Sequence, residues 1–198
     1  MPRITHPSGY IRPHDEIHAQ VQAFLLGVLS ARLGDYEEAQ RWADELRRLK
    51  SPERSPSLSE DLALGVLAYA ASLRGENAAA LDLLQRLQMQ SFYQNSFVSP
   101  FYSGALQRYL RAMLLEDAGR LEDALRWYGS FEQISMYDFV FLAPSHLRRA
   151  EIYERRGELD EARRHYSRFV ELWSECDPEL RPLVAQAQQR LAALASDR

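Results

Sequence analysis

Apolar residues along this 198-residue chain recur at helical spacing, in blocks separated by glycine, proline and polar clusters. The first block runs through Ile17, Val21, Phe24, Leu25, Val28 and Leu29 and predicts one face of a helix. Gly34 ends it, since a left-handed C-terminal cap favours glycine. Asp35 then caps a second helix that turns Ala39, Trp42, Ala43, Leu46 and Leu49 inward. Ser51 to Ser57, with prolines at 52 and 56, reads as a loop. The pattern continues with helices at 58–74 and 77–89, and a long connection follows from Met89 to Pro100. Helices at 101–118 and 121–133 come next, then a second long connection from Ile134 to Pro144 and helices at 145–156 and 159–174. A last amphipathic helix at 179–195 sets Leu180, Leu183, Val184, Ala187, Leu191 and Leu194 against a polar back of Gln186, Gln188, Gln189 and Arg190. Residues 1–14, which hold three prolines and a glycine, read as an irregular N-terminal extension.

One phrase recurs through these blocks: a glycine, polar residues, and an alanine five positions on. The copies begin at Gly34, Gly75, Gly119 and Gly157, at intervals of 41, 44 and 38 residues, and their alanines are Ala39, Ala80, Ala124 and Ala162. A period in this range marks a solenoid, in which no unit buries its apolar face alone. The polar-backed last helix suits the closing position of such an array.

These residues resemble tetratricopeptide repeats, a helix–turn–helix family with small residues where two helices touch and a Gly-Asp/Glu-x-x-Glu-Ala turn. The likeness rests on Leu26, Gly27, Gly34, Tyr36 and Ala39 in the first unit and on Leu67, Ala68, Gly75 and Ala80 in the second. The third unit offers Ala112, Gly119, Ala124, Tyr128 and Phe131, and the fourth Ala150, Tyr153, Gly157, Ala162, Tyr166 and Phe169. It spans about residues 15–174. The units are longer than the family's 34 residues, and the proline that usually ends each one is displaced or absent. A looser likeness, through Phe141 to Leu147 and Glu151 to Tyr153, is to repeat regions of bacterial regulatory and kinase-like proteins. The resemblance implies an all-α, right-handed α-solenoid of about four helix-turn-helix repeats plus a C-terminal capping helix, as a single domain over residues 15–198.

In this family the concave face is lined by the first helix of each pair. Carried over by position, that face holds Val21, Phe24, Val28 and Arg32, then Leu62, Gly65, Tyr69 and Ser72, then Leu106, Tyr109, Met113, Glu116 and Asp117, and last Leu147, Glu151, Glu154 and Arg155. The partner-binding residues expected from it are Phe24, Val28, Arg32, Tyr69, Tyr109, Met113, Glu116, Glu151, Glu154 and Arg155. The groove is expected to be apolar at one end and acidic at the other, to take a protein or peptide segment with an apolar anchor and a basic end. Tyr109→Ala is expected to weaken binding without unfolding the array. Members that clamp the carboxylate terminus of chaperones place Lys and Asn where this chain has Phe24 and Val28, which argues against that role. Competing with an open groove, residues 1–13 or a second copy of the chain could cover its apolar end. The aromatics of the two long connections (Phe92, Tyr93, Phe97, Phe101 and Tyr102, then Met136, Tyr137, Phe139 and Phe141) read as packing between repeats or as further contact sites.

Composition removes other classes. Net charge of −4 and a pI near 5.8 leave no basic footprint for nucleic acid, and the basic clusters Arg47-Arg48-Leu49-Lys50 and Arg163-Arg164-His165 alternate with acids. No apolar run approaches the roughly 18 residues that span a bilayer. The single cysteine, Cys176, suits a reducing compartment, and the N-terminus has no secretory apolar stretch, so a cytoplasmic location is expected. A piece of a larger protein could start the same way.

Candidate chemistry is sparse. His14 and His18 have the i, i+4 spacing of a metal pair, but the glutamate does not follow the first histidine as in zinc proteases, and Asp15 and Glu16 are ordinary first-turn acids. His146 and His165 lie among arginines and read as surface residues. No phosphate loop or nucleophile–base pair is identifiable, so no catalytic, cofactor or metal residue is assigned. The reading is a non-enzymatic scaffold for protein–protein interaction. The alternative is a self-associating regulatory or sensor module, a homodimer joined through the first repeat, within a larger bacterial signalling or transcription-regulating protein. A third option is a hydrolase using a metal on His14 and His18.

Overall fold

Every described residue of the computed structural model lies in a helix, a turn or a connection; these are residues 15–90, 100–132 and 138–196, and they contain no strand. The α-helices are α1 (His18–Arg32), α2 (Tyr36–Arg48), α3 (Leu58–Leu73), α4 (Asn77–Gln85), α5 (Pro100–Ser103), α6 (Ala105–Asp117), α7 (Leu121–Gly129), α8 (Phe139–Arg155), α9 (Leu159–Leu172) and α10 (Arg181–Ser196). The expected extension at 1–14, His14, Phe92, Tyr93, Phe97, Met136 and Tyr137 lie outside the described residues.

The four turns repeat in atomic detail. Gly34, Gly75, Gly119 and Gly157 have φ of 82, 77, 73 and 75°, a region that side chains with a Cβ rarely enter. Each glycine N–H donates to the carbonyl three residues back, and the next N–H to the carbonyl five residues back, as Asp35 does to Ser30 and Glu158 to Tyr153. This is a Schellman ending, and it satisfies carbonyls that the helix leaves open. Asp35 also caps α2, its carboxylate accepting the Glu38 N–H at 3.0 Å. Ala39, Ala80, Ala124 and Ala162 are all 0 % exposed. Only a small side chain there lets neighbouring helices approach.

Contacts divide the chain into two compact units, Met1–Gln107 and Arg108–Arg198. In the first, α1 packs on α2 and α3, α2 on α3, and α3 on α4. Phe24, Leu46, Leu58, Leu62, Val66 and Tyr102 share its core. A Cβ at Gly27 would lie 2.8 Å from Val66 Cγ1 and 3.2 Å from the Trp42 Cβ, so glycine permits the close approach of three helices. The inward face of α1 differs from the sequence expectation. Ala23, Phe24, Gly27 and Ala31 are buried, whereas Leu25 and Leu29 are 45 % and 53 % exposed. Close approach selects the small residues of α1 for the contact and turns the branched ones out.

Helix α4 ends earlier than the pattern predicts. The chain leaves it because Asp61, buried in α3, accepts the backbone N–H of Gln88 and of Met89, both at 2.9 Å. Ser57 donates its hydroxyl to the same carboxylate at 2.6 Å and accepts the Gln90 N–H at 2.9 Å. Met89 takes a φ of 51° to fit this latch.

In the second unit α8 packs on α7 and α9, and α9 on α10. Two boundaries differ from expectation. Helix α8 begins at Phe139 rather than at 145, with Pro144 inside it. A proline so near the N-terminus forfeits one backbone bond beyond those already open at a helix start. Helix α7 stops at Gly129, where Ser130 turns its hydroxyl onto the Trp127 carbonyl at 2.7 Å and receives Arg108 on its own carbonyl at 3.2 Å. Arg108 also donates to the buried Asp138 at 2.7 Å.

Candidate functional site

Four of the residues expected to bind a partner meet in one place. Glu116 from α6, Glu151, Glu154 and Arg155 from α8, Tyr166 from α9 and Arg190 from α10 line a cavity of about 590 Å³ in the second unit, with Arg148 at its side. A cavity of about 380 Å³ shares Glu151, Tyr166 and Arg190 and adds the half-buried Leu183, with Leu147 and Ala187 of the unit's core at its floor. The groove is thus charged along one stretch and apolar along the next.

Its carboxylates are held from behind. Tyr128 donates to Glu116 at 2.9 Å, and Tyr166 donates to Glu154 at 2.8 Å. Each glutamate stands three residues before its turn glycine and each tyrosine nine after it, so two successive repeats build the same bond. Burial, reinforced by neighbouring carboxylate charge, keeps both phenols protonated; it pushes Tyr166 up to about 12 and Tyr128 higher. On their outer side the same glutamates take arginines from neighbouring helices, Arg155 on Glu116 and Arg190 on Glu154. Glu151 has a partner within its own helix, Arg148 at 3.1 Å.

The groove therefore differs in charge from the acidic end the sequence suggests: Arg148, Arg155 and Arg190 match its three glutamates. Of the other expected residues, Phe24 is buried at 4 % exposure, edge-on to Phe101 with centroids 5.9 Å apart. It belongs to the core of the first unit, and Val28 and Tyr69 pack partly buried against that core. Arg32 is exposed, and Met113 is half-buried. Tyr109 stacks on Phe141 at 4.9 Å and meets Tyr128 and Phe131 edge-on, at 5.7 and 6.1 Å. These contacts make it part of an aromatic core that backs the groove.

Comparison with protein families places this geometry. A family model described as tetratricopeptide repeat matches residues 20–45, 105–130 and 143–168, which are the pairs α1–α2, α6–α7 and α8–α9. The chain carries tetratricopeptide repeats. The pair α3–α4 lies outside the matched segments, yet it has the same glycine turn and the same buried alanine, Ala80. The chain matches none of the curated proteins. Tetratricopeptide repeats generally mediate protein–protein interaction and are typically non-catalytic scaffolds. No helix among the described residues is long and apolar enough to cross a membrane.

The repeats also hold a feature that the sequence reading misplaces. His146 on α8 and His165 on α9 are buried, at 7 % and 2 % exposure, rather than on the surface. Their Nδ1 atoms face each other at 2.8 Å, and Tyr153 stacks on the His165 ring at 5.5 Å. Burial first, then the Arg149 guanidinium, lowers His146 to about 4 and His165 to about 3. His165 stands three residues after Ala162 on the buried side of α9, a helical register that could have shown it facing inward. His18, by contrast, is exposed.

Proposed function

We propose that this chain is a scaffold that binds a protein segment in the groove of its second unit. The segment would place an apolar side chain against Leu147, Leu183 and Ala187, and a basic group on Glu151. The observation that carries this reading is the groove itself. It is lined by the first helices of two repeats and by α10, and Tyr128 and Tyr166 fix two of its three carboxylates in place. Side chains held before binding lose less conformational entropy on binding. Glu151 is the least committed acid, since its partner is a neighbour on the same half-exposed helix face. Such surface pairs contribute little and exchange readily.

The test is selection of peptides from a random display library on the purified chain, followed by affinity measurement by fluorescence anisotropy. Peptides pairing Leu, Ile or Phe with a nearby Lys or Arg are expected. Glu151→Lys should weaken them at least about 10-fold, the size of a lost charge-assisted contact, without moving the unfolding midpoint. Failure to enrich any peptide, or equal affinity of the variant, overturns the reading.

A further inference from the structure

The histidine pair lies apart from the groove, on the opposite flank of α8, and opens onto a second cavity of about 450 Å³ that Glu132, Arg164 and Arg168 also line. Glu132 stands at the end of the turn after α7. One donor atom each from Glu132, His146 and His165 lie within 4.8 Å of one another. We propose that these three residues form a binding site for a divalent transition-metal ion of the zinc class, with its fourth position open to the cavity.

The donor set fits. Two imidazoles and one carboxylate with an open position is a known ligand composition for zinc. Zinc–nitrogen distances of about 2.0–2.1 Å in a tetrahedral site put two imidazole nitrogens roughly 3.3 Å apart. The facing Nδ1 atoms at 2.8 Å need to part by only a few tenths of an ångström to admit the ion.

Arginines around the rings oppose positive charge there, but each is paired with a carboxylate. Arg149 pairs with Glu132, Arg164 with Glu161 and Arg168 with Glu171. Arg149 donates to Glu132 Oε1, and a carboxylate has lone pairs on both oxygens, so Oε2 can face the metal. Coordination requires both Nδ1 atoms bare. The proton now shared between them moves to the far nitrogen of its own ring, and both rings stay neutral.

The test is titration of the untagged chain, after chelator treatment, with Zn²⁺ by calorimetry and with Co²⁺ by visible absorption. One ion per chain is expected, with the intense d–d bands of a four-coordinate site. Glu132→Gln, at an exposed position, should fold as the wild type does and bind at least about 10-fold more weakly, the effect of losing one ligand contact. His146→Gln should abolish the absorption, and His18→Ala should leave it unchanged. Absence of stoichiometric binding by the folded wild type overturns the proposal. So does binding that survives Glu132→Gln at full affinity, or that disappears with His18→Ala.

Discussion

Tyr128 holds Glu116 from inside the fold, its hydroxyl 2.9 Å from the carboxylate, and Tyr166 holds Glu154 the same way one repeat later. In both cases donor and acceptor lie 12 residues apart across the turn glycine, and the bond ties the second helix of a pair to the first. The bond therefore serves packing and presentation together. It joins two helices, and it fixes a carboxylate at the wall of the groove.

Tyr166→Phe removes the donor and keeps the ring. A hydrogen bond to a charged group contributes about 1.5–3 kcal/mol, so a loss of that order is expected in urea unfolding. Peptide affinity should also fall, because Glu154 is then held by Arg190 alone. A variant with wild-type stability and affinity would show that the hydroxyl finds an equal substitute in water.

Tyr109→Ala should act on stability more than on binding. The ring stacks on Phe141 and touches Tyr128 and Phe131, so truncation opens a cavity among three aromatics. Deleting a fully buried aromatic costs about 3–5 kcal/mol, and the half-buried Tyr109 should lie at or below the lower end of that range. The unfolding midpoint should fall steeply, and whatever remains folded should bind peptide nearly as the wild type does. A large affinity loss in a protein of unchanged stability would restore Tyr109 to the groove.

Fold class and repeat turns are legible in the sequence because their causes are local. A positive φ requires glycine, and a close helix contact requires alanine, and both stand at fixed offsets in all four copies. The groove is legible in part. Glu116, Glu151, Glu154 and Arg155 can be placed by position along the first helices, and they do meet. The arginine pairings cannot be placed that way, since Arg155 reaches Glu116 across 39 residues and Arg190 reaches Glu154 across 36. The same limit hides the histidine pair, because nothing local to His146 indicates that α9 will set His165 against it. On α1 the error has another source. Hydrophobicity alone ranks Leu25 and Leu29 above Gly27, whereas the contact with Val66 admits only the glycine.

That contact can be tested directly. Gly27→Ala sets a methyl 2.8 Å from Val66 Cγ1, closer than real side chains come, and overpacking of this kind costs about 1–3 kcal/mol. Val66→Ala in the same chain removes the obstructing methyls. The double variant should therefore be more stable than the sum of the single effects predicts, as read from a double-mutant cycle in urea. Additive losses would show that Trp42, not Val66, sets the limit.

Asp61→Ala should free the segment after α4. It removes the acceptor of the Gln88 and Met89 amides and of the Ser57 hydroxyl, leaving Ser57 without its carboxylate in the core. Stability should drop by about 2–4 kcal/mol, given the charged acceptor and its burial. Limited proteolysis should show faster cleavage near residues 87–90 under conditions where the wild type stays intact. Unchanged cleavage would mean that the segment is held by contacts other than this latch.

The buried histidines set the response of the metal-free chain to acid. Folded, they titrate at about 4 and 3, against about 6.5 in an unfolded chain. Glu132 beyond α7 favours the charged form of His146, while Arg149 on α8 and Arg164 on α9 oppose the charged form of both rings; Arg168 adds to that opposition at His146. Above about pH 6.5 neither state binds a proton at these rings, and the pair adds no pH dependence. Between about pH 6.5 and 4 the unfolded chain takes up protons that the folded chain refuses. Stability therefore falls with pH over that window, by about 1.4 kcal/mol per unit for each histidine. Urea unfolding from pH 7.5 to 4.5 in chelator should show this slope, and replacing both rings, as in His146→Gln with His165→Gln, should flatten it by about two protons. If the double variant keeps the wild-type slope, the rings are charged in the folded state and the acid sensitivity arises from the carboxylates.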